Sequence, residues 1–125
     1  MKPLKTILKS TLIIDYDDIE NANFINIFIE HGLSLDIVTP QKDFLSIIKK
    51  NKIDCVMIYS DQPDNMAYKI IDAIKTNYPW VVVIILLQNP DYKKIFGFIR
   101  QGADDFILSP FTWDDVENVL LHYYY

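Results

Sequence analysis

The stretch VVVIILL, residues 81–87, decides the fold because it is apolar at every position. A strand with one face in water alternates apolar and polar side chains, whereas a parallel strand covered on both faces is apolar throughout. The run is far shorter than the roughly 20 residues that a membrane-spanning helix requires. It therefore predicts a buried central strand rather than a membrane segment.

Four other short apolar runs also predict strands, and longer amphipathic segments between and after the strands predict five helices. The runs, with the central one extended by one residue, are TLIID (11–15), SLDIV (34–38), IDCVMIY (53–59), WVVVIILL (80–87) and DFIL (105–108). Strand and helix alternate five times. This order predicts a single α/β domain, a (βα)5 doubly wound sandwich of the flavodoxin-like type.

Polar residues and prolines mark the beginnings of the predicted helices. Asp17 or Asp18 is placed to cap the first helix. Thr39 followed by Pro40 predicts the start of the second, since proline suits the first helical position. A capping box that begins at Thr112 predicts the start of the last.

Charge and cysteine content limit the function classes. The chain has 12 Lys and Arg against 17 Asp and Glu, a net charge of −5, which disfavours direct binding to nucleic acid or to an anionic membrane. The single cysteine, Cys55, lies in an apolar run, which indicates a packing role and a reducing compartment. Residues 1–10 are basic but lack the apolar core of a signal peptide. We therefore expect a cytoplasmic protein.

Three stretches together resemble the receiver domain of two-component response regulators. GADDFILSPF (102–111) is similar to the family's Gly-Ala-Asp-Asp stretch that ends in Lys-Pro-Phe. IDCVMIYSDQP (53–63) is similar to the strand that ends in the phosphorylated aspartate, and TLIIDYDD (11–18) to a strand that runs into an acidic pair. The resemblance implies a CheY-like domain at 11–125 after a basic extension at 1–10. It also implies a five-stranded parallel sheet in the order 2-1-3-4-5.

What the resemblance implies about function is a phosphorylation switch, in which an aspartate accepts a phosphoryl group from a histidine kinase beside Mg²⁺. Carried over residue by residue, Asp15 matches the first acid of the pair and Tyr16 stands in place of the second. Tyr59 stands at the phosphoacceptor, Leu87 replaces the family's Ser or Thr, and Ser109 replaces its lysine. Four of the five key positions are therefore changed.

The chemistry of these changes predicts a pseudo-receiver without phosphoacceptor or catalytic activity. Tyrosine, with a pKa of about 10, is neutral at pH 7 and does not replace an ionised carboxylate as nucleophile. Mg²⁺ binding is not expected, since the pocket has lost two carboxylates and Mg²⁺ requires oxygen ligands in a near-octahedral array. We expect a phosphorylation-independent signalling module, with Tyr16 and Tyr59 either filling the pocket and fixing one conformation or merely packing there.

Two alternatives remain open on the sequence. A working receiver could use other acids, with Asp15, Asp17 and Asp61 as weak candidates for metal binding and Asp61 as a substitute phosphoacceptor. The second alternative is a flavodoxin-like protein that binds a small ligand or flavin. Against it, the loop after the first strand lacks the glycines that cradle a phosphate.

The resemblance also predicts local features and partners. Phe106 matches the family's aromatic switch position, and the Ser109–Pro110 bond is expected to be cis. The partner is expected to be a protein: an effector domain, a histidine kinase if phosphorylation survives, or a second copy. The homodimer would use the fourth and fifth helices and the fifth strand.

Overall fold

The computed structural model describes residues 11–15, 26–28, 30–31, 36–38, 43–59, 65–87 and 91–124. Five strands form one sheet, and every neighbouring pair is parallel. The strands are β1 (Thr11–Asp15), β2 (Asp36–Val38), β3 (Cys55–Tyr59), β4 (Val82–Leu87) and β5 (Asp105–Leu108). Their order is β2-β1-β3-β4-β5, which confirms the predicted doubly wound sheet.

Helices follow the strands as the periodicity predicts. Residues 26–28 and 30 are helical and mark the first helix, α1. The others are α2 (Phe44–Lys50), α3 (Asn65–Asn77), α4 (Tyr92–Arg100) and α5 (Trp113–Tyr124). None of the helices in the described ranges has the length and apolar character needed to cross a membrane.

The sheet separates two apolar cores, as expected for strands that are apolar on both faces. One core lies under α2, α3 and α4, and the other lies under α1 and α5. Successive residues of β3 alternate between them, so that Ile58 belongs to the first core and Tyr59 to the second. Cys55 is fully buried in the second core, consistent with a packing role.

Strands β2, β3 and β4 each begin two residues later than the apolar runs predict. Trp80 lies in a turn and its side chain is 67% exposed, while the Val82 N–H donates to the Asp54 carbonyl at 3.0 Å. The apolar run therefore starts two residues before the strand begins to pair with its neighbours.

The predicted start of α2 at Thr39 and Pro40 is wrong. The helix begins at Phe44, and Asp43 is its N-cap. The Ser46 N–H donates to Asp43 Oδ1 at 3.2 Å and the Ser46 hydroxyl donates to Oδ2 at 2.7 Å. These two bonds hold the pKa of Asp43 below its ordinary value. An N-cap side chain accepts a hydrogen bond from the N–H of the third helical residue. Asp43 makes this bond with Ser46, and the helix therefore begins directly after Asp43.

The end of α2 carries a strained residue that offers a stability test. Lys52 follows the C-cap Asn51 with φ +53°, a conformation that glycine adopts at no steric cost. We expect Lys52→Gly to raise the free energy of unfolding by up to about 1 kcal/mol, since left-handed backbone costs an L-residue roughly 1–2 kcal/mol. Urea unfolding measures it, with Lys49→Gly inside the helix as the control that should lose stability.

The C-terminal part of α5 is fixed to the start of β5. The Tyr123 hydroxyl donates to the Asp104 carbonyl at 2.7 Å. Burial raises the pKa of Tyr123 to about 12, and the negative charges of Asp105 and Asp104 add to the effect. The fold therefore favours the neutral phenol.

This raised pKa predicts a loss of stability in strong alkali. The folded pKa lies above the unfolded value of 10.0, so the stabilisation is complete below pH 10 and is lost as the pH rises towards 12. The stability advantage of the wild type over Tyr123→Phe should therefore shrink between pH 10 and 12. Chemical unfolding at several pH values measures it, and a pH-independent difference would contradict it.

Candidate functional site

The site predicted from the sequence lies at the carboxyl ends of the strands, where parallel α/β sheets carry their functional residues. Tyr59 is the last residue of β3, and its Cα partners are Asp15 on β1 and Leu86 on β4. Tyr16, Asp17, Asp18 and Asp61 lie outside the described residues. The backbones of Asp15, Tyr59, Leu87 and Ser109 are therefore described, whereas Tyr16 and the side chain of Asp15 are not.

Tyr59 is a buried core side chain. It is 2% exposed and belongs to the core under α1 and α5. Its ring meets Phe111 edge-on, with centroids 6.2 Å apart and an interplanar angle of 65°. An aromatic pair of this kind stabilises the fold beyond its buried area. Tyr59 thus joins the end of β3 to the loop between β5 and α5.

The same aromatic cluster continues to α1. Trp113, the first residue of α5, meets Phe28 edge-on at 6.2 Å and stacks on His31 at 4.1 Å. The Trp113 Nε1–H also donates to Glu117 at 3.1 Å, and His31 Nδ1 lies 2.8 Å from the Ile27 carbonyl oxygen. We name these rings, Phe28, His31, Tyr59, Phe111 and Trp113, the aromatic clasp.

The sequence did not reveal the aromatic clasp. His31 is an exposed residue, and nothing in the spacing of the chain relates it to Trp113. The only available signal was that Phe111 and Trp113 follow the predicted cis-proline step, so that two large rings flank the start of α5. Pairing of rings from α1, β3 and α5 became visible only with the fold.

Leu87 ends β4 on the opposite side of the sheet from Tyr59. It is fully buried in the core under α2, α3 and α4, and its carbonyl accepts from the Ser109 N–H at 2.8 Å. The Ser109–Pro110 bond is cis, as expected. Phe106 is half-buried and packs against the same core as Leu87. An aliphatic side chain at Leu87 offers no hydrogen bond to a phosphate.

A metal site is not assembled from the described side chains. Among residues 11–15, 26–28, 30–31, 36–38, 43–59, 65–87 and 91–124, no three His, Cys, Asp or Glu side chains converge in a way that would hold an ion. The described donors at the strand ends, Tyr59 and Ser109, do not fit the carboxylate-rich set that Mg²⁺ requires.

The outer surface of α4 carries a stripe of exposed apolar side chains. Tyr92 is 89% exposed, Phe96 67% and Ile99 41%, and their spacing places them on one side of the helix. Beside this stripe, a groove of about 330 Å³ runs between α4 and β5 and is lined by Ile95 and Leu108 among others. Apolar surface of this kind on a small domain marks a contact site.

Comparison with known proteins relates the chain to response regulators. It is 30% identical over 112 residues to the response regulator ArlR of Staphylococcus saprophyticus, covering 88% of this chain and 49% of that protein. It is 26% identical over 82 residues to the transcriptional regulatory protein CitT of Bacillus subtilis, covering 66% of this chain and 36% of that protein. The chain is a CheY-like receiver domain.

Solved structures share the fold of this receiver domain. The chemotaxis protein CheY4 of Vibrio cholerae matches with a TM-score of 0.70 at 14% identity, over 90% of this chain and 96% of that one. An atypical orphan response regulator, described as having a phosphorylation-independent regulatory mechanism, matches with a TM-score of 0.64 at 20% identity, over 90% and 89% of the two chains. No family model matches the chain. The receiver domain spans less than half the length of the curated relatives named above.

Proposed function

We propose that this receiver domain is a phosphorylation-independent module of a response regulator, which acts on an effector through protein contact. The observation that carries the proposal is that Tyr59, at the position that the resemblance assigns to the phosphoacceptor, is a buried aromatic residue at the end of β3. Leu87 and Ser109 support it, since Leu87 lacks the hydroxyl and Ser109 lacks the positive charge that the family uses at those positions. Mg²⁺ has no role in this proposal. The proposal includes a cytoplasmic location, which the single cysteine leads us to expect.

The aromatic clasp suggests how the domain holds one conformation without phosphate. In the proposal, the rings of Tyr59, Phe111 and Trp113 fix the loop between β5 and α5 against β3 and α1 through packing. An ordinary receiver would use the phosphoryl group for this purpose. The clasp therefore makes α4, β5 and α5 a permanent contact face.

The test is exposure to Mg²⁺ and acetyl phosphate, followed by intact mass measurement beside a conventional receiver domain treated identically. We expect no added phosphoryl group. A hydroxylamine-labile phosphorylated species would instead favour the alternative, a receiver that uses non-standard acids. Asp15→Asn, Asp17→Asn and Asp61→Asn would then locate the acceptor.

The protein contact in this proposal includes contact with a second copy through α4, α5 and β5. The charged residues of α4 and α5 favour such a dimer. Helix α4 carries Lys93, Lys94 and Arg100, whereas the first turn of α5 carries Asp114 and Asp115. A two-fold arrangement would bring the cations of one copy towards the carboxylates of the other. Sedimentation should show dimers that Phe96→Ser converts to monomers, while Trp80→Ser, exposed elsewhere, has no effect. Monomer alone at high concentration would argue against self-association.

A further inference from the structure

Strand β5 lies at the edge of the sheet in the described part of the chain, with β4 on its inner side. Edge strands present main-chain N–H and C=O groups that can pair with another chain. The Ser109 N–H donates to Leu87 O, so it points towards β4. Because directions alternate along a strand, the Phe106 and Leu108 amides point outward.

Part of this outer edge is occupied by the domain's own side chains. The Phe106 N–H donates to Asp105 Oδ1 at 2.8 Å, and the Asp104 carbonyl accepts from the Tyr123 hydroxyl at 2.7 Å. A local carboxylate on an outward amide is one way in which an edge strand is protected from unwanted pairing. Asp105 therefore competes with any incoming strand for the Phe106 amide.

Two grooves flank the edge, one on each side. The groove of about 330 Å³ towards α4 includes Leu108, Tyr92 and Asp91. A second, of about 260 Å³, lies towards α5 and includes Leu108, Val119 and Asp115. An added strand would direct successive side chains alternately into these two grooves, since side chains of a strand alternate in direction.

We infer that β5 accepts an extended segment of a partner protein as a sixth strand of the sheet, with apolar side chains in both grooves and Lys or Arg beside Asp91 and Asp115. The inference rests on the proposed function, in that it assigns the partner of the same contact face. It adds the chemistry of the bound segment, and it assigns the Asp105 carboxylate as the group that the segment displaces from the Phe106 amide.

Main-chain pairing favours an extended segment over the other occupants. A helix bonds its own N–H and C=O groups within itself, so it has none to offer the outward amides of Phe106 and Leu108. A second copy brings its own α4 and α5 on either side of its edge, whereas a single extended chain brings only a strand.

The test begins with a random linear peptide library selected against the intact protein without phosphodonor. Selected peptides are expected to carry apolar residues at alternate positions and to slow amide exchange in β5 by about tenfold or more. Copies of these peptides with N-methylated backbones should lose binding, since the side chains remain while the main-chain donors are removed. Binding by helical peptides, binding without protection of β5, or no selected peptide would each overturn the inference.

Variants at the edge test the role of Asp105. Asp105→Ala should tighten peptide binding about threefold to tenfold, the equivalent of one ordinary hydrogen bond no longer competing. Asp72→Ala is the matched control, because it removes an exposed carboxylate from α3 and leaves the side chains at the β5 edge in place. Unchanged affinity in folded Asp105→Ala would show that the carboxylate does not guard the edge. Since no phosphodonor is present, these results are independent of the phosphorylation test.

Discussion

Replacing Tyr59 by alanine is expected to lower the free energy of unfolding by about 3–5 kcal/mol, the usual cost of removing a large buried aromatic side chain. The ring is 2% exposed and is fully enclosed in the core under α1 and α5. Removing it leaves a cavity and ends the contact with Phe111 across 6.2 Å. Urea unfolding followed by circular dichroism measures the change.

Tyr92→Ala is the matched control for this prediction. The residue change is identical, but the Tyr92 side chain is 89% exposed on α4, so we expect an effect within about 0.5 kcal/mol. If both variants lost similar stability, Tyr59 would not be the core residue described here. If Tyr59→Ala also loosened the start of α5, seen as faster amide exchange near Trp113, the role of the aromatic clasp would be supported.

Tyr59 also illustrates what the sequence predicted and what it did not. Its position at the end of β3 followed from the apolar run and the change to polar residues after it. Which face of the sheet it occupies did not follow, because a shift of one residue in strand register exchanges the two faces. The observed pairing with Asp15 and Leu86 fixes that register.

The second helix shows a different limit of sequence reasoning. Thr39-Pro40 and Asp43 are both acceptable starts by residue type, so local preference alone does not separate them. The choice falls to Asp43, which receives two hydrogen bonds from Ser46. By contrast, the GADD stretch and the following Ser-Pro step were recognised as a unit, and the cis bond was confirmed.

The GADD stretch nevertheless concealed an ionic contact across three elements. Asp104 forms an ion pair with Lys75 of α3, and its Oδ2 accepts from the Val83 N–H at 2.8 Å. Lys75 also donates to the Val81 carbonyl at 2.7 Å. In the sequence, Asp104 and Asp105 are equivalent neighbouring acids. Only the pairing of β4 with β5 shows that Asp104 faces Lys75.

Replacing Asp104 by alanine is therefore expected to lower the free energy of unfolding by about 2–4 kcal/mol, since a charged acceptor is lost from the Val83 amide and from Lys75 together. The side chains of Lys75 and Asp104 are 22% and 29% exposed, so solvent screens part of the ionic attraction. The larger part of the loss comes from Val83, whose N–H is left without its acceptor in a fully buried residue.

Two further variants separate the ionic part of this effect from the hydrogen bond. Asp104→Asn keeps an oxygen that can accept from the Val83 N–H and removes only the charge, so it should cost about 1 kcal/mol, in the range of a partly exposed ion pair. Asp72→Ala, an exposed acid on the same helix as Lys75, should change stability by less than about 0.5 kcal/mol. If Asp104→Asn were as harmful as Asp104→Ala, the ion pair rather than the Val83 hydrogen bond would be the main stabilising contact. That result would predict strong salt dependence, because screening weakens the attraction between partly exposed charges.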